Sequence, residues 1–88
     1  MPRIVITHAV EDVERWLKGK TERAAALPGA TNVTDLVAMD GSNHAAVMFD
    51  IDDPDALMAV LSSVPPEMAA QAKSHGVIVS TMTAYAEA

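Results

Sequence analysis

The stretch Val77-Ile78-Val79-Ser80-Thr81-Met82-Thr83-Ala84-Tyr85 decides the fold. Its β-branched residues suit a pleated strand. Alternation places Val77 and Val79 on one side and Ile78 and Met82 on the other, so both faces are apolar. A strand wet on one face would alternate apolar and polar side chains instead. Three further segments read as strands of the same two-sided kind: Arg3–His8, residues 31–39 and residues 44–50. Such a sheet needs cover on both faces.

Cover is scarce. From Val10 to Leu27 the period changes, and Val13, Trp16, Leu17, Thr21 and Ala24 recur three and four apart on one helical stripe. Glu14, Arg15, Lys18 and Glu22 then point to water, and Glu11 or Asp12 lies where it favours the helix dipole. Pro28-Gly29 ends this helix. Asp40-Gly41-Ser42-Asn43 reads as a hairpin turn between the second and third strands. Asp53-Pro54 caps and starts a second helix over Asp55–Leu61, interrupted at Ser62-Ser63-Val64-Pro65-Pro66 and resumed from Pro66 to about Ser74. Gly76 leads into the fourth strand.

The order β-α-β-β-α-β is the split ferredoxin-like pattern: a four-stranded antiparallel sheet ordered 4-1-3-2 with two helices on one face. The opposite face would expose more apolar surface than a monomer usually tolerates. A second copy of the chain is the simplest cover, giving a homodimer.

The bulk properties agree with one small domain spanning residues 1–88. A chain of 88 residues buries only about 60–65% of its unfolded surface. It has no Cys, so neither disulfides nor thiolate metal sites supplement the core. A net charge of −6 argues against nucleic acid or an anionic membrane as partner. No run approaches the length of a membrane span, and Met1-Pro2-Arg3-Ile4-Val5-Ile6 lacks the form of a signal peptide, so a cytoplasmic location is expected.

Three histidines are the leading chemical candidates. In the 4-1-3-2 order, His8, His44 and His75 stand at one end of adjacent strands, and their imidazoles are candidates to converge as an acid–base cluster. The alternative is three loop histidines pointing apart. No His-x-x-x-His spacing supports a metal, and no cofactor is expected. Tyr85 belongs at the far end of strand four, near the start of strand one, away from His8. Trp16 reads as a core anchor, and the methionines as adaptable core filling. Asp50-Ile51-Asp52-Asp53-Pro54-Asp55 resembles a calcium loop but lacks its Gly and distal Glu, so it reads as a solvated cap. Ser62, Ser63 and Ser80 have no nucleophile-elbow context.

The run His8-Ala9-Val10-Glu11-Asp12-Val13-Glu14-Arg15-Trp16 resembles the opening of small dimeric α+β barrel proteins. In these, a strand passes through a Val-x-Asp step into a helix bearing an aromatic residue. That superfamily includes antibiotic-biosynthesis-type monooxygenases, polyketide cyclases, haem-degrading enzymes and stress-responsive proteins. The resemblance implies two sheets packed face to face around a cavity. One Trp, one Phe and one Tyr are fewer aromatics than a monooxygenase pocket would offer. The expected ligand-binding residues are Thr7, His8, His44, Ser80 and Tyr85, with His8, His44 and Tyr85 as catalytic candidates. Ala38, Ala45, Ala46 and Ala84 leave room for a small apolar or aromatic ligand. Three functions remain open: a non-catalytic binder, a cofactor-independent monooxygenase or cyclase, and a structural module with a packed barrel.

Overall fold

Two strands flank β1 (Arg3–Val10) in the sheet of a computed structural model that describes residues 3–26, 29–63 and 66–87. The chain continues through α1 (Val13–Lys18), α2 (Lys20–Ala26), β2 (Ala30–Val37), β3 (His44–Ile51), α3 (Pro54–Ser62), α4 (Pro66–Ser74) and β4 (Val77–Ala86). The sheet order is β2-β3-β1-β4 and every pairing is antiparallel, so the fold is the ferredoxin-like α+β arrangement that the sequence predicts. Met1, Pro2, Leu27, the Pro28 helix stop, and Val64 and Pro65 of the second helix break lie outside the described residues. No helix among the described residues is long and apolar enough to cross a membrane.

One face of the sheet carries the core. Ile4 pairs with Phe49, Ile6 with Val47 and His8 with Ala45, and all six are buried. Leu57 of α3 packs on Ile4, Ile6, Val47, Phe49 and Ile51, while Trp16 of α1 packs with Val10 and Ala45. Helices from both crossovers therefore cover this same face. Across the sheet, Val5, Thr7, Ala46 and Met48 remain half-buried, and Leu36 and Tyr85 are exposed.

The first helix differs from its expected form. Strand β1 runs on to Val10, and Asp12 caps α1 by accepting from the backbone N–H of Glu14 at 3.0 Å and of Arg15 at 3.4 Å. The helix then breaks at Gly19 into α1 and α2. A side chain at Gly19 would put its Cβ 2.5–2.7 Å from the His75 ring, so glycine lets the chain pass under that imidazole. The break shifts the stripe: Leu17 and Thr21, expected inside, are exposed, and Arg23 is buried in their stead.

Strand β4 also departs from simple alternation. Its ladder with β1 jumps between Thr7–Thr83 and Ala9–Ile78, so Val79–Met82 oppose His8 alone. Because of this bulge, Met82 packs against the helix-side core, as does Val77, although their parities differ. The expected split, with Val77 on one face and Met82 on the other, is corrected by those inserted residues.

Candidate functional site

The side chain of His8 lies among polar groups rare in so small a core. Its ring meets Trp16 edge to face at a centroid separation of 5.3 Å. On Trp16 rests the guanidinium of Arg23, 4.0 Å from the ring centroid. Arg23 donates through Nη1 to the Trp16 carbonyl and through Nη2 to Asp35 Oδ2 at 2.7 Å, forming a buried ion pair. His75 Nε2 stands 2.9 Å from Glu22 Oε2 and its Nδ1 lies 3.5 Å from Arg23 Nη1. A carboxylate only accepts and a guanidinium only donates, so these neighbours select the tautomer with its hydrogen on Nε2. His8 Nδ1, Trp16 Nε1, Arg23 Nε and Asp35 Oδ1 are buried without a hydrogen-bond partner. Each such atom costs stability unless a water or ligand meets it.

Burial lowers the His8 pKa below its ordinary 6.5, and the Arg23 cation adds to this, while backbone contact at Ala9 and the Asp35 carboxylate oppose it. The imidazole is therefore held neutral near pH 7. It borders an apolar cavity of about 90 Å³ beneath α4, with Met68, Gln71, His75 and Met82 among the other walls. Since benzene occupies an engineered cavity of ~150 Å³, this one takes less than an aromatic ring unless the adaptable methionines move.

The opposite, helix-free face bears a larger cleft of about 440 Å³. Its walls are mostly small or apolar, including Ala9, Leu36, Ala38 and Ala46, with Thr7, His44 and Thr81 supplying polar groups. Three of the four alanines expected to leave room, Ala38, Ala45 and Ala46, border this cleft, whereas Ala84 packs with the core on the other face.

The three histidines do not converge. His8 and His75 share the small inner cavity, whereas His44 pairs with Ala9 and borders the outer cleft, its Nδ1 3.1 Å from Ser42 Oγ. Adjacent strand residues face opposite ways, so Thr7 and the His8 ring lie on different sides of the sheet. The main chain of His8 still borders the outer cleft with Thr7 and His44. Ser80 sits in the β4 bulge and Tyr85 pairs with Val5, exposed at the far end of that face; neither borders the cleft. No group of three or more metal-capable side chains occurs among the described residues.

Arg23 and Asp35 were not anticipated from the sequence. One signal points to Asp35, which occupies the inward parity of β2 between Val33 and Val37, whereas Arg23 is turned inward by the break at Gly19 that separates α1 from α2.

No family profile matches the chain, and no curated protein matches it. Solved structures do. One is a protein from Deinococcus radiodurans with a provisional assignment as an antibiotic biosynthesis monooxygenase. It superposes with a TM-score of 0.61 at 14% identity, over 100% of this chain and 91% of its own. Another is a single-substitution variant of SnoaB, a cofactor-independent oxygenase from Streptomyces nogalater, with a TM-score of 0.55 at 20% identity over 98% and 87% of the two chains. This chain therefore has the ferredoxin-like α+β fold of antibiotic-biosynthesis-monooxygenase-type proteins, and at these identities the likeness establishes the fold alone.

Proposed function

We propose that the chain acts as a homodimer that holds a small, mostly apolar organic molecule between its two helix-free sheet faces. The observation carrying this reading is the 440 Å³ cleft, whose small walls surround the polar groups of Thr7, His44 and Thr81. Its volume exceeds the ~150 Å³ that suffices for benzene, leaving space for a bicyclic ligand. A second copy packed on the exposed Leu36 and Tyr85 would close the mouth.

Surface area supports a partner. The chain exposes 5482 Å², against about 5,000 Å² for a monomer of this mass. The excess does not come from an extended shape, because the radius of gyration is 12.2 Å and a compact chain of this length has about 12 Å. The net charge of −6 disfavours nucleic acid as that partner.

A second reading is a cofactor-independent oxygenase or cyclase, favoured by the neutral buried His8 beside the inner cavity and by the monooxygenase-type neighbours. Calorimetric titration with 2-naphthol separates the readings. A binder takes up the probe in the wild type and loses it in Ala46→Phe, which fills the cleft. An enzyme using His8 also consumes dissolved oxygen or probe once Met68 and Met82 move to admit the ring to the inner cavity, and stops doing so in His8→Gln. Absence of 2-naphthol uptake by a confirmed dimer would defeat the ligand reading.

A further inference from the structure

Four residues of β4 face one residue of β1 at the bulge, and that one residue is His8. The insertion deprives the Ala9 N–H of a strand carbonyl. It donates instead to Thr81 Oγ1 at 2.8 Å, and the same hydroxyl donates to the carbonyl of Ile78. One side chain thus closes the bulge from both sides. Thr81 also borders the outer cleft, and its neighbour Met82 borders the inner cavity.

From this geometry we infer that Thr81 is a positioning residue for His8. Its hydroxyl stands in for a missing ladder partner and fixes the Ala9 backbone, which keeps the preceding imidazole turned inward against Trp16. The inference rests on reading His8 as the reactive group of the inner cavity. Without the hydroxyl, the Ala9 N–H loses its acceptor and the bulge must relax or admit water. Either change acts on the residue that follows His8 in β1, with His44 the cross-strand partner of Ala9 on the outer-cleft side. The charged groups facing its ring, Arg23 of α2 and Asp35 of β2, are held by each other, and His75 closes the same cavity from the end of α4.

The test is NMR titration of the His8 ring, with no ligand added, in wild type, Thr81→Val and Thr81→Ser; His8→Gln assigns the resonance. Thr81→Val keeps the shape and removes the hydroxyl, so the His8 midpoint is expected to move up toward 6.5 as water reaches the ring. Thr81→Ser is expected to restore the wild-type midpoint. A valine variant that melts earlier with its His8 midpoint unmoved would overturn the inference, leaving Thr81 a stability residue. So would failure of serine to rescue. Should Thr81→Val not fold, hydrogen exchange at the wild-type Ala9 amide decides: protection like that of the β1 ladder is expected, and loop-like exchange contradicts it. Because no ligand enters the experiment, its failure is separate from failure of the ligand-binding reading.

Discussion

Arg23 and Trp16 form a stacked pair in which the guanidinium carbon lies 4.0 Å from the indole centroid and Nη1 returns a hydrogen bond to the Trp16 carbonyl. This one contact ties α2 to α1 across the Gly19 break. Asp35 then anchors the same guanidinium to β2 at 2.7 Å, so Arg23 links both helices to the sheet. Removing it leaves a carboxylate buried without its cation. Arg23→Ala is expected to cost about 3–5 kcal/mol of stability, measured by urea unfolding. Adding Asp35→Asn should recover part of that loss, because the stranded charge is gone; additive losses in the double variant would contradict the pairing.

His8 makes stability pH-dependent. Its folded pKa lies below the 6.5 of the unfolded chain, so the unfolded state takes up the proton first. The stabilising contribution of the neutral ring is complete above about 6.5 and is lost as pH falls through the lower folded value. Wild type should therefore lose melting temperature more steeply than His8→Gln between pH 7 and 5. Trp16, the only tryptophan, provides an independent optical reading of the same titration. Parallel melting curves for the two proteins would remove His8 from the account.

Gly19 is required by space. Its φ of −87° is open to any residue, but an added Cβ would fall 2.5–2.7 Å from the His75 ring. Gly19→Ala is expected to destabilise by about 1–3 kcal/mol. The loss should shrink when His75→Ala is made in the same chain, a coupling that a double-mutant cycle reads directly.

The helix-free face should tolerate a charge only in a monomer. Leu36 is exposed, and its inward neighbour Asp35 already serves the core, so Leu36→Glu changes the face without opening the interior. The expected outcome is a folded chain of monomeric mass with weakened 2-naphthol uptake. An unchanged assembly state would place the partner surface elsewhere.

The fold was legible because hydrophobic period and turn chemistry are local properties. Asp40-Gly41 marked the hairpin, where Gly41 takes φ 76° and Ser42 N–H binds Asp40 Oδ1 at 2.9 Å. Asp53 likewise caps α3 by accepting from Ala56 N–H at 3.2 Å. Two features escaped because they depend on distant contacts. Gly19 looked like an ordinary residue within a long helix until His75, far along the chain, occupied the space its side chain would need. The β4 bulge carries no Gly or Pro, and its closure by Thr81 depends on Ala9. The histidines separated for a related reason: strand order predicts which ends are neighbours, whereas the parity and bulges of each strand decide which face a ring enters. His8 consequently joined Arg23 and Trp16 inside, and His44 stayed on the outer cleft.

Cover of the helix-free face by a second copy would double the mass read by sedimentation equilibrium at micromolar concentration. The expected mass is twice the 9.3 kDa of the chain, falling to a single chain mass in Leu36→Glu. A wild-type protein that sediments at 9.3 kDa across that range, fully folded, would contradict it.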